Sequence, residues 1–150
     1  MFLIRHAKAG SRRDWDGPDD QRPLSKAGRR QADGIVTQLG DRGVARILSS
    51  PFVRCRQTVE PLGERLHLLV EPSDSLAEGA PLSDALRLVE KVADEVVALC
   101  THGDVVEELL GHLRRTGVLN GDARLEKAST WVLHLEGGEV TGAEYVAPPS

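Results

Sequence analysis

Short blocks of consecutive apolar residues along the chain alternate with longer stretches in which apolar positions recur every three or four residues. That is the pattern of buried strands followed by one-sided helices. The first block is Phe2-Leu3-Ile4, which ends abruptly at Arg5-His6 and is followed by the small residues Ala7, Ala9 and Gly10, where the backbone turns. Ser25 then stands as an N-cap before Ala32, Ile35, Val36 and Leu39, a helical spacing stopped by Gly40 and Gly43. Residues 44–48 read as a second strand, and Pro51 as the first residue of a helix carrying Phe52 to Thr58, with Pro61 ending or kinking it. A third strand is expected over residues 66–70, before the turn chemistry of Glu71-Pro72-Ser73-Asp74.

Further on, the spacing of Leu82, Ala85, Leu86, Val89, Val92 and Ala93 predicts a helix over 82–94. Residues 96–100 form an apolar strand that empties into Thr101-His102-Gly103-Asp104, ahead of a helix with Val105, Val106, Leu109, Leu110 and Leu113 on one face. Alternating residues on either side of Glu136-Gly137-Gly138-Glu139 predict a closing β-hairpin. Ala147-Pro148-Pro149-Ser150 is expected to be a short flexible tail. No segment repeats and none reads as a linker. Four βα-like units and a hairpin predict one α/β domain over residues 1–150, a three-layer α/β/α sandwich on a mostly parallel central sheet.

Composition narrows this picture more than it changes it. With 150 residues, 40% hydrophobic and 28% charged, the chain can bury a core and is neither disordered nor membranous. It lacks a secretory signal pattern, so the expected address is the cytoplasm. Cys55 and Cys100 form no metal or disulfide pattern and read as two small apolar thiols. A net charge of −4 speaks against a nucleic-acid-coating surface and the pattern against a membrane partner, yet cations bunch at Arg5, Lys8, Arg12 and Arg13 and again at Arg54 and Arg56.

The strand ends concentrate the chemistry. In open α/β sheets ligands bind outside the carboxyl ends of the strands, and three such ends bring Arg5-His6, Arg54 and Thr101-His102 there, with Glu78 on a nearby loop. The first turn after His102, with Gly103, offers unpaired N–H groups to an anion. Taken singly, Arg5 and His6 better suit a surface arginine and a half-buried histidine at a strand end. Together the five residues allow a metal site, a nucleophilic site or coincidence. Metal is disfavoured by Arg5 beside a candidate ligand and by the lack of HxH or HExxH spacing. Phosphoryl transfer to histidine fits better: guanidinium charge favours the neutral, nucleophilic imidazole and neutralises the nonbridging oxygens without Mg²⁺ or another cofactor. Lys8, Ser11, Arg12 and Arg13, on the long loop after the first strand, could bind substrate oxygens, and Trp15 could offer a stacking face or fold back on the core. Core or surface roles suit His67, His112, His134 and Trp131 better than catalysis.

RHAKAG, LSKAGRRQA, SSPFVRCRQT, LAEG and CTHGD, in this order, resemble the histidine phosphatase, or phosphoglycerate mutase-like, superfamily. The resemblance implies a phosphoric monoester hydrolase of the histidine acid phosphatase type. In it His6 is the phosphorylated nucleophile, Arg5, Arg54 and His102 complete the phosphate pocket, and Glu78 donates the proton. Ala7 stands where the family motif usually has Gly, as in its small bacterial members. The chain's brevity, without a large cap insertion, is similar to the phosphohistidine phosphatases that act on signalling proteins. AGSRRDWDGPDDQRPLSKAGRRQA, RCRQTVEPL and KASTWVLHL are still more similar to the C-terminal histidine-phosphatase half of actinobacterial MutT-type Nudix hydrolases, which act on nucleotides. The expected partner is therefore a phosphorylated small molecule such as a nucleotide, or a phosphohistidine protein, met by a domain standing free of a Nudix half. A phosphate-binding module without turnover, and a mutase, remain alternative readings.

Overall fold

A computed structural model describes residues 1–121 and 123–150. Six strands form one sheet: β1 (Phe2–Arg5), β2 (Arg46–Ser49), β3 (Val70–Pro72), β4 (Val97–Thr101), β5 (Thr130–Glu136) and β6 (Glu139–Val146). Their order is β3-β2-β4-β1-β5-β6, with the first four strands parallel, β5 antiparallel to β1 and β6 antiparallel to β5. Helices α1 (Lys26–Leu39) and α2 (Val53–Leu66) cover one face, and α3 (Leu82–Lys91) and α4 (Gly103–Arg115) the other. This is the three-layer α/β/α sandwich on a mostly parallel sheet.

Sandwiching explains the unbroken apolar blocks. Phe2 and Ile4 point into the core under α1 and α2 while Leu3 points under α3 and α4, and β4 divides Ala98 and Cys100 from Val97 and Leu99 in the same way. Both faces are dry, so alternation in polarity vanishes. Trp131 is a packing residue, its ring 5.3 Å from that of Tyr145 and its indole N–H donating to the Arg124 carbonyl at 2.7 Å.

Some expected boundaries move. Helix α2 starts at Val53 with Phe52 as N-cap, so Pro51 lies outside it, and it runs through Pro61 to Leu66. Pro61 removes one N–H from the ladder, but Val59 and Leu62 on either side are completely buried and hold the helix together. Helix α2 ends where His67 takes the left-handed conformation (φ 58°) and the Leu68 N–H returns to the Gly63 carbonyl at 2.9 Å. The third strand therefore begins only at Val70, and Leu69, expected inside it, is 87% exposed. Strand β2 starts two residues later and ends one residue later than the apolar run suggests, and α3 stops at Lys91.

Helix α1 is seated on the loop after β1. Ser25 caps it, its Oγ accepting from the Gly28 N–H at 3.1 Å, and the Ser25 N–H and O–H both donate to the Lys8 carbonyl. A Cβ on Gly28 would lie 1.9 Å from that same carbonyl oxygen, so only glycine lets the helix come this close. The Lys8 N–H donates to Gln31 Oε1 at 3.0 Å. Ser25, Gly28 and Gln31 thus fix the backbone that leads away from His6. At the chain's end, the Gln38 side chain donates to the Ala147 carbonyl and Pro149 lies against Gly34.

Candidate active site

The carboxyl ends of β1, β2 and β4 open into a cavity of about 530 Å³ lined by Arg5, His6, Arg54, Glu78, His102 and Gly103, with Ser11, Arg12, Arg22 and Lys127 among its further walls. His6 leaves β1 with its N–H donated to the Thr101 carbonyl at 3.0 Å. Its ring is 8% exposed, and Nδ1 lies 2.8 Å from the Ala7 carbonyl. A carbonyl oxygen can only accept, so Nδ1 carries the proton and Nε2 keeps the lone pair. Burial, with smaller contributions from His102, Arg54 and Arg5, pushes the His6 pKa down to about 3 despite the opposing bond to Ala7. The imidazole is neutral near pH 7, and burial outweighs the guanidinium charges that sequence reasoning credited.

Arg54 is brought in by the first turn of α2 and is 1% exposed. Its Nη1 donates to the Asp19 carbonyl at 2.8 Å, and its Nη2 to Asp19 Oδ2 at 3.1 Å and to Glu78 Oε2 at 3.5 Å. One turn later Thr58 Oγ1 donates to the Arg54 carbonyl at 2.7 Å and accepts the Ala7 N–H at 2.9 Å, tying α2 to the residue after His6. Arg5 Nη1 donates to the Leu125 carbonyl at 2.5 Å. A Cβ on Gly103 would be 2.9 Å from the Arg5 guanidinium carbon, so this glycine makes room for the side chain. His102, the N-cap of α4, is 2% exposed, and its ring centroid lies 5.4 Å from that of His6. Ser50 Oγ accepts the Phe52 N–H at 3.2 Å and lies 2.8 Å from His102 Nε2, which also has Cys55 Sγ at 3.5 Å, so the ring is held from its Nε2 side. Among the described residues, Arg5 Nε and Arg54 Nε are buried donors without a partner, and His102 Nδ1 is likewise buried and unpaired. Buried donors normally find an acceptor, and two guanidinium N–H groups beside one cavity suit an oxyanion.

The rim is different in kind. The Glu78 side chain is 40% exposed, paired with Arg54 and, at 3.7 Å, with Arg12. Its loop is anchored where Thr101 Oγ1 donates to the Leu76 carbonyl and the Gly79 N–H donates to Asp104 Oδ2 at 2.7 Å. Asp19 collects Arg22, Arg54 and Arg12; burial alone would raise its pKa, but the bonds and charge of Arg22 and Arg54 hold it below the usual carboxylate range. Of the sequence candidates, Arg5, His6, Arg54, Glu78, His102, Gly103, Ser11 and Arg12 share the cavity, while Lys8 and Arg13 are exposed and lie outside its lining. Asp19, Arg22, Ser50, Thr58 and Lys127 were missed. The spacing of Thr58, one helical turn after Arg54, and the place of Ser50 at a strand end were available signals; the others depend on how loops fold over the edge. Among the described residues no group of three His, Cys, Asp or Glu side chains is placed to hold a metal ion, and no helix is long and apolar enough to cross a membrane.

Comparisons with known proteins place the chain in a family. The 8-oxo-(d)GTP phosphatase of Mycolicibacterium smegmatis is 36% identical over 157 aligned positions, covering 99% of this chain and 48% of that protein. The chain thus spans about half the length of this curated relative. In fold it is similar to the protein histidine phosphatase SixA complexed with tungstate (20% identity, TM-score 0.78, 99% of this chain and 95% of that one). SixA from Agrobacterium tumefaciens is 25% identical, with TM-score 0.76 and coverage of 98% and 96%. The family model of the histidine phosphatase superfamily, branch 1, matches residues 1–80, more than half of the chain. From the motif that opens at Arg5-His6 to the loop that carries Glu78, this chain belongs to the histidine phosphatase superfamily.

Proposed function

We propose that the chain is a metal-independent phosphatase that works through a phosphohistidine on His6. The observation that carries this reading is the neutral His6 ring, with Nδ1 fixed on the Ala7 carbonyl and Nε2 left with its lone pair, ringed by Arg5, Arg54 and His102. In the first step Nε2 attacks phosphorus, an N–P bond forms, and the P–O bond to the leaving group breaks with its electron pair going to that oxygen. The phosphoryl oxygens take the donors of Arg5, Arg54 and His102, where charge accumulates in the loose transition state. Glu78, released from Arg54 as those oxygens arrive, protonates the leaving oxygen. Water then attacks phosphorus, its proton goes to Glu78, and the N–P electron pair returns to Nε2, releasing phosphate.

The substrate is a phosphorylated small molecule of the nucleotide class. Beside the cavity lies a second hollow, of about 500 Å³, lined by Arg12, Trp15, Gly17, Asp19 and Glu78, which offers an indole face next to the cations. The nucleotide activity named for the mycobacterial relative supports this reading. The test is a panel without added metal and with EDTA: p-nitrophenyl phosphate, nucleoside di- and triphosphates and a phosphohistidine protein. His6-dependent turnover, with an acid-labile phosphoenzyme on His6, is the expected result. Phosphate binding with no phosphoenzyme and no turnover would leave a binding module, and preference for the phosphohistidine protein would replace the nucleotide.

A further inference from the structure

Cations outnumber carboxylates in the cavity lining, with Arg5, Arg12, Arg22, Arg54 and Lys127 against Glu78, Asp104 and Glu107. Besides Arg5, Arg54 and His102 near His6, its walls include Arg12, Arg22 and Lys127. Arg22 is spent within the protein, its Nε on Asp19 at 3.1 Å and its Nη1 on the Gly10 carbonyl at 2.6 Å. Arg12 has only long pairings, 3.6 Å to Asp19 and 3.7 Å to Glu78. Lys127 lines the same cavity, and burial together with the like charges of Arg5, Arg22, Lys8 and Arg12 lowers its pKa. A cation left among cations is the arrangement that an arriving anion relieves.

The backbone holds this lysine in place. Ala128, next to it, is fully buried and takes a left-handed conformation at φ 66°, which an L-residue adopts only where its surroundings impose it. Its N–H lies 3.1 Å from the Arg5 carbonyl and 3.2 Å from that of His6, while the Ser129 N–H donates to the Glu126 carbonyl at 2.9 Å. Leu125, on the same loop, accepts from Arg5 Nη1. The loop bearing Lys127 is therefore laced to the residues at the end of β1, which sets the backbone of this lysine beside the cavity.

We propose that Lys127, with Arg12 across the mouth, forms a subsite for a second phosphate, so that the preferred substrate is a phosphoanhydride whose terminal phosphorus sits at His6. The proposal rests on the reading that the first phosphoryl group binds at His6. In such a substrate the leaving group is itself a phosphate, a weakly basic anion that needs its charge neutralised more than it needs a proton, and Lys127 supplies that charge. The observed use of Glu78 as a counter-ion of Arg12 and Arg54 is compatible with a leaving group of this kind.

The test uses ligands that cannot be turned over: methylenediphosphonate against methylphosphonate, titrated calorimetrically into the wild type and into Lys127→Met and Lys127→Arg. The wild type is expected to bind the diphosphonate at least tenfold more tightly, Lys127→Met to lose most of that ratio, and Lys127→Arg to keep most of it. A flat ratio in the wild type, an undiminished ratio in Lys127→Met, or equal weakening of both ligands in that variant would overturn the subsite. Because no turnover is involved, failure of the phosphohistidine mechanism leaves this result unaffected, and a flat ratio would refute the subsite while hydrolysis at His6 stood.

Discussion

The floor of the cavity and its rim rest on different parts of the fold. Arg5, His6, Arg54 and His102 are carried by strand ends and the helix starts that follow them, with His6, Arg54 and His102 almost dry, whereas Arg12, Glu78 and Lys127 stand on loops open to solvent. These floor residues are tied to other elements: His6 to β4, Arg54 through Thr58 to the residue after His6, His102 to Ser50. On the rim, Arg12 and Glu78 are held by ion pairs alone, at 3.5–3.7 Å to each other, to Asp19 and to Arg54. Fixed, desolvated charge suits a transition state common to every substrate, and mobile, solvated charge suits the parts in which substrates differ.

That contrast can be broken by substitution. His6→Ala should remove turnover by ~10⁴-fold or more on every substrate while thermal unfolding stays close to wild type; retained activity would dismiss the nucleophile. Arg54→Ala should cost about 10²–10³-fold in kcat/KM, again irrespective of substrate, with Lys only a partial replacement because the forked donors are lost. Glu78→Gln should cost about 10²-fold for alkyl phosphates, whose leaving oxygen needs a proton, and clearly less for anhydrides. Equal losses on both would place Glu78 with the floor.

Two predictions concern stability. Gly28→Ala drives a methyl into the Lys8 carbonyl and should destabilise by about 1–3 kcal/mol in denaturant unfolding, with activity falling further than stability because the His6 loop shifts. The folded His6 has a pKa of about 3 against the ordinary 6.5, so below pH 6.5 the unfolded chain takes up a proton that the folded one refuses. Stability should therefore fall as pH drops from about 6.5 towards 3, with a slope of up to ~1.4 kcal/mol per pH unit from this group alone. His6→Ala should flatten that slope, and an unchanged slope would mean that His6 is protonated in the fold.

The floor was legible in the sequence because each of its residues closes an apolar run or opens the helix after it, and buried strands in a parallel sheet announce themselves without reference to distant partners. The strand after α2 was misplaced for the opposite reason: β3 lies at the sheet edge, is only partly buried, and follows a helix that tolerates Pro61 and a His67 cap. Lys127 was unreadable as a cavity residue, since its position follows from a left-handed Ala128 and from hydrogen bonds to β1, more than a hundred residues away in the chain. Asp19 and Arg22 sat in a loop whose composition signals turns and nothing about which side chains fold inward.

The position of β1 also has a bearing on how the protein comes into being. It is an interior strand whose neighbours are supplied by residues near 98 and 132, so Phe2-Leu3-Ile4 stays without its flanking strands until nearly all of the chain is in place. Long-range parallel pairing of this kind closes late and slowly. Refolding intermediates should expose that apolar run, the natural target of a chaperone, and recovery of catalysis should coincide with the last kinetic phase. An assay of His6 is then also a clock for the completion of folding.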